Sequence, residues 1–165
     1  MQKIIKLALF LAVISALSGM SLSFVNDMTS PIIMEQGLAA EKSYLEGMYP
    51  GETFDVKDIK GEKVVKEYTT SKGGKAYKIE GNGYGGKIVA IIGFDGEGKV
   101  IGYDVIDCST ETKGFGSKVG EEPFISDVKS LSAGDTLDTI SGATISSTVI
   151  SQGFTEASEL YSKGK

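Results

Sequence analysis

The chain has no histidine, no tryptophan and no arginine, and its single cysteine is Cys108. Each absence removes a class of chemistry. Without histidine there is no Ser-His-Asp or Cys-His machinery. One thiol and no imidazole cannot complete an ordinary zinc site, an iron–sulfur cluster or a c-type haem attachment. A lone cysteine makes no internal disulfide. All 17 basic residues are lysine, so no guanidinium fork is available for phosphates or base edges. The net charge is −5 and the isoelectric point about 4.8, which argues against nucleic acid as a partner. Redox, hydrolytic or metal chemistry, if present, is carried by something other than His and Cys.

What is there is ordinary globular material, 41% hydrophobic and 24% charged, in 165 residues. That fits one domain with an appendage. The appendage is residues 1–29. Lys3 and Lys6 precede an uncharged stretch from Leu7 to Asn26, matching the roughly 20 residues that cross a bilayer core. Lysines on the near side and Asp27 on the far side orient it with the N-terminus in the cytoplasm. The reading is a transmembrane anchor. The competing reading is a cleaved signal with its apolar region at Leu7–Ile14 and small residues at Ala16 and Ser18. Both place the remainder outside the cytoplasm.

Ser30-Pro31 breaks the first helix or marks its exit from the membrane. Residues 32–48 have helical character, with Ile33, Leu38, Ala39, Leu45 and Met48 as buried positions, until Pro50-Gly51 stops them. Short strands are expected over 52–68. Tyr77 and Ile79 alternate with charged neighbours, and Lys87–Phe94 is a β-branched central strand. Asp95-Gly96-Glu97-Gly98 is a hairpin turn leading to a return strand, Lys99–Cys108. Ser109–Gly120 reads as a polar loop and Glu121–Lys129 as a short helix with Pro123 in its first turn. A final helix carries Ile145, Val149, Ile150, Phe154, Ala157, Leu160 and Tyr161 on one face, with Ser141 as its N-cap. This order implies an α+β fold with an antiparallel sheet.

Residues 81–86 contain G-x-G-x-x-G, but a strand follows rather than a helix, so a strand connection is favoured over a dinucleotide fingerprint. Cys108 reads as a small hydrophobe, and Lys113 and Lys118 as surface lysines. The stretch Asp138-Thr139-Ile140-Ser141-Gly142-Ala143-Thr144 is the informative one. It places small and hydroxyl residues where backbone N–H groups and the helix dipole favour an anion. An ordinary cap built on Ser141 explains the same residues.

The same stretch resembles the covalent flavin attachment motif, D-x-x-[ST]-G-A-T, of the RnfG/NqrC family. Gly83-Tyr84-Gly85-Gly86 and Thr110-Glu111-Thr112-Lys113-Gly114-Phe115-Gly116 are similar to two further segments of that family, in the same order. Lys113 stands where the family usually has Pro, and Phe115 where it has Leu. The resemblance implies an FMN-binding domain with its core in 73–165, joined by residues 30–72 to the anchor. It implies FMN held by a phosphodiester to Thr144, with Asp138, Ser141, Gly142 and Ala143 completing the attachment site. Glu111, Thr112, Lys113, Gly114, Phe115 and Gly116 would lie against the ring. It implies electron transfer as the RnfG component of an Rnf complex, in ferredoxin:NAD oxidoreduction coupled to sodium or proton translocation. The implied partners are the other Rnf components (RnfA, RnfB, RnfC, RnfD and RnfE), the membrane, and a flavin transferase of the ApbE type. A stand-alone anchored FMN protein is the alternative; a non-redox extracellular binding module is a third reading.

Overall fold

The computed structural model describes residues 2–29 and 39–164 in full. The first helix, α1, spans Gln2–Met48. The expected break at Ser30-Pro31 and the expected burial of Ile33 and Leu38 fall in residues 30–38, outside those described. The chain divides into two compact units, Met1–Ala39 and Ala40–Lys165. In the first, Gln2–Thr29 is long and apolar enough to cross a membrane.

The second unit is built on one open antiparallel sheet of five strands in sequential order. They are β1 (Phe54–Asp58), β2 (Val64–Thr70), β3 (Lys75–Asn82), β4 (Lys87–Phe94) and β5 (Val100–Asp107). After β5 come a 3₁₀ turn over Gly116–Gly120, α2 (Phe124–Lys129) and α3 (Thr144–Lys163). The layout is α+β, as expected.

Alternation along the strands assigns the two sheet faces. On β4, Ile88, Ala90, Ile92 and Phe94 join Tyr77 and Ile79 of β3 in a core closed by Val149, Ile150, Phe154 and Ala157 of α3. The opposite face carries Ile91, Ala76 and Tyr68, packed under Leu45 and Tyr49. A strand buried on both sides needs an unbroken apolar run, and Lys87–Phe94 supplies it. The covering on the second face comes from the last turns of α1. There Leu45 is buried and Met48 half-buried as expected, while Ala39 is exposed.

Three local expectations need correction. Helix α2 begins at Phe124, and Pro123 sits at its N-cap rather than inside its first turn. The 109–120 loop contains a 3₁₀ turn. Ile145, placed by periodicity on the buried face of α3, is 56% exposed, and at the start of the helix it borders an open cavity.

Glu156 closes the α3 side. Its carboxylate accepts backbone N–H groups from Glu62 at 2.9 Å, Lys63 at 2.7 Å and Val64 at 3.0 Å, fastening the β1–β2 connection to the helix. Removing the acceptor leaves those donors without a protein partner. Glu156→Ala is expected to lower unfolding free energy by about 1–2 kcal/mol, part of the loss being recovered by water at the exposed Glu62 end. Urea titration followed by near-ultraviolet circular dichroism measures it.

Candidate functional site

The attachment-like stretch and the start of α3 are held by serines of the helix itself. Ser147 Oγ accepts the Ile140 N–H at 2.9 Å and donates to the Ala143 carbonyl at 3.0 Å. Ser151 Oγ donates to the Leu137 carbonyl at 2.8 Å. The turn then closes with Ala143 N–H on the Ile140 carbonyl at 3.0 Å. Ser141 therefore is not the cap. The N-cap is Ala143, with no side chain capping the helix. Gly142 has φ +82°, a left-handed conformation that glycine adopts without strain. It turns the chain so that Thr144 is the first helical residue, exposed.

Two further segments meet that helix start. Residues 81–86 form the end of β3 and the turn into β4, closed by Gly83 N–H on the Gly86 carbonyl at 2.7 Å. No helix follows, so the dinucleotide fingerprint is excluded. Next to this turn runs the 110–116 loop, folded on itself by Phe115 N–H to the Thr112 carbonyl at 3.1 Å and Gly114 N–H to Ser117 Oγ at 2.9 Å. Glu111 joins all three segments. Its Oε1 accepts the Gly85 N–H at 2.9 Å and its Oε2 accepts the Ser146 hydroxyl at 2.6 Å. Gly116 passes directly against this carboxylate, where any Cβ would collide with Glu111 Oε2.

Between these segments lies an open cavity of about 410 Å³, within the roughly 300–1,000 Å³ usual for small-molecule sites. Tyr84 comes from the β3–β4 turn; Glu111, Thr112, Phe115 and Gly116 come from the loop; Gly142, Ala143, Thr144, Ile145 and Ser146 come from the helix start. The lining is mostly apolar. Tyr84, Phe115 and Ile145 are large hydrophobic side chains that stay 76%, 56% and 56% exposed. Glu111 is the one charged residue among those that line the cavity.

Seven of the eleven site residues expected from sequence are thus brought together: Thr144, Gly142, Ala143, Glu111, Thr112, Phe115 and Gly116. Asp138, Ser141, Lys113 and Gly114 are exposed and lie outside the lining. Sequence reasoning missed Ser146, Ile145 and Tyr84 as lining residues. Tyr84 had a signal, its place in the Gly83–Gly86 segment. Ser146 had none, since its partner Glu111 is 35 residues away.

Cys108 packs against the main core. Burial pushes its thiol pKa up, reinforced by the nearby Asp107, Glu111 and Glu121 carboxylates. A thiol kept protonated is a poor nucleophile and ligand, in keeping with a small hydrophobe.

Residues 83–159 match the sequence profile of the FMN-binding domain family. The match begins in the β3–β4 turn and ends within α3, so it encloses every segment that lines the cavity. It supports a flavoprotein. No curated protein matches the chain.

The residues present fit such a group. An uncapped helix N-terminus offers backbone donors to a phosphate. Small residues at 142 and 143 leave room beside it. Exposed Tyr84, Phe115 and Ile145 offer apolar contact to a planar ring.

Proposed function

We propose that this chain is a membrane-anchored flavoprotein electron carrier that holds FMN covalently through Thr144, as the RnfG component of an Rnf-type complex. The observation that carries the reading is the position of Thr144. It is exposed at the first turn of α3 and borders an apolar cavity inside the region that matches the FMN-binding domain. FMN, when bound, supplies one- and two-electron redox chemistry, and the protein binds, orients and tunes it.

In this reading the Thr144 hydroxyl carries the phosphoryl end through a phosphodiester formed by a transferase of the ApbE type. Gly142 and Ala143 leave space for the phosphate, and the backbone amides of the first turn face it. Phe115, Ile145 and Tyr84, which line the cavity, would offer the ring apolar contact. Electrons pass to and from other Rnf components on the outer face of the membrane, while NAD and ferredoxin bind elsewhere in the complex. The tether suits such a place, where lost FMN is not readily replaced.

Two experiments test the reading. Protein co-produced with its transferase is expected to give a flavin-fluorescent band on a denaturing gel; a colourless, non-fluorescent band overturns it. For the anchor, mass spectrometry of the membrane fraction is expected to find peptides containing Lys3 and Lys6. A mature chain that begins beyond Ala16 overturns the anchor in favour of a cleaved signal.

A further inference from the structure

We propose that Glu111 is a positioning residue: it buckles the first turn of α3 to the β3–β4 turn and so fixes where Thr144 stands. Its consequence for Thr144 rests on the flavin-holding function proposed above, while the buckle itself does not. Both carboxylate oxygens are already engaged, Oε1 by the Gly85 N–H at 2.9 Å and Oε2 by the Ser146 hydroxyl at 2.6 Å. The side chain is 6% exposed and Ser146 is 1% exposed. Ser146 reaches the turn a second time, its Oγ accepting the Tyr84 N–H at 3.5 Å. Charge-assisted hydrogen bonds of this kind are the strong ones. Gly116 completes the arrangement, because only a residue without Cβ lets the loop return beneath the carboxylate.

The geometry separates two roles for Glu111. A residue that acts on a ligand directly does so through its charge, whereas a positioning residue acts through the protein donors it holds. Glu111 meets one donor with each oxygen, and both donors belong to the protein. Two segments that share no strand pairing, the Gly83–Gly86 turn and the start of α3, are joined through one side chain of a third. Thr144 stands two residues from the Ser146 end of that link.

Hydrogen exchange of the full chain in detergent micelles, without flavin, reads the buckle directly. Glu111→Ala is expected to speed exchange of the Gly85 amide, and of the Ser147 amide that bonds the Ala143 carbonyl at 2.9 Å, by about tenfold or more. The Ile91 and Ile92 amides of β4 should stay as protected as in the natural chain. Glu111→Gln keeps an acceptor for Gly85 and an amide for Ser146, whose hydroxyl can rotate to accept, so its protection is expected within about threefold of the natural chain. Unchanged Gly85 exchange in Glu111→Ala overturns the proposal. If Glu111→Ala does not fold, Ser146→Ala serves: faster exchange at the Ser147 amide supports the buckle, and unchanged exchange overturns it.

Transferase kinetics read the consequence. Glu111→Gln is expected to be loaded at a rate within about twofold of the natural chain. Folded Glu111→Ala should lose about tenfold or more in kcat, the step that needs a placed hydroxyl. Loss in Glu111→Gln equal to that in Glu111→Ala, with Gly85 still protected, overturns the proposal in favour of direct action of the charge. A natural chain that takes no flavin at all defeats the flavin reading instead, and the exchange data still decide the buckle.

Discussion

Thr144→Ala is expected to abolish covalent flavin loading while leaving the fold intact. The substitution removes one exposed hydroxyl at the first position of α3. An exposed change of this kind moves stability by no more than about 0.5 kcal/mol. The Gly142 turn, the Ser147 and Ser151 bonds and the Glu111 link do not involve that hydroxyl. A phosphodiester has no other place to form at that position, so the fluorescent band on a denaturing gel should vanish rather than weaken. Thr144→Ser, which keeps the hydroxyl, should retain a band. Two hydroxyl neighbours make the test sharp. Ser141 and Thr139 lie in the same stretch and are also exposed. Were the tether set by local abundance of hydroxyl groups, Thr144→Ala would shift the label to one of them. A residual band in Thr144→Ala therefore overturns Thr144 as the attachment residue.

The same stretch shows what a linear pattern can and cannot convey. Small residues followed by Thr at the start of a helix are visible in the sequence, because the requirement is local: room, a hydroxyl and free amides. Ser141 mimics a cap for an equally local reason. Serine directly before a helix is an ordinary cap, but α3 starts at Thr144 and puts Ala143 in that place, while Ser147, one turn inside, holds Ile140. Periodicity puts Ile145 on the buried face because the helical pattern extends into the first turn, where the side chain borders the cavity instead. The strands are legible, since β4 carries an apolar run and β3 alternates. The partner of the second sheet face is not. Its cover is the end of a helix whose earlier residues read as a membrane span, and the buried Glu41 there gives no apolar signal. Glu111 belongs to the same class of omission. A buried carboxylate is recognised by its partners, and those lie 26 and 35 residues away.

Glu41→Ala is expected to cost the most stability among the polar substitutions proposed. Glu41 lies in the last turns of α1, 6% exposed, over β2 and β3. Its Oε1 accepts from Lys78 Nζ at 2.6 Å; its Oε2 accepts from the Tyr68 hydroxyl at 2.6 Å and pairs with Lys66 Nζ at 3.3 Å. Lys78 also meets Glu80 at 3.0 Å, and Glu80 meets Lys87 at 2.5 Å. Removing one partner from a buried pair costs roughly 3–5 kcal/mol, because the other charge is stranded. Here Lys78 keeps Glu80 and Lys66 reaches solvent, so about 2–3 kcal/mol is expected for Glu41→Ala in a urea titration of the full chain.

The pH dependence of that network follows from the same contacts. Burial raises the Glu41 pKa, but the hydrogen bonds from Lys78 and Tyr68 and the two lysine charges outweigh it, and the net direction is down. Glu80 is lowered in the same way: burial raises it, and Lys87 and Lys78 more than reverse this. Both groups bind protons more weakly folded than unfolded. Their stabilisation is complete above the unfolded carboxylate range, near pH 4.3, and is lost as pH falls through the lower folded values. Lys78 is shifted up, its burial outweighed by bonds to Glu41 and Glu80, so its share persists below the unfolded lysine value near 10.4 and fades only as pH rises through the folded one. The expected profile is a plateau through neutral pH with a fall on the acid side below about pH 4. In Glu41→Ala the acid fall should be shallower, because one of the two depressed carboxylates is gone. An acid limb as steep in Glu41→Ala as in the natural chain would assign the acid sensitivity to other carboxylates.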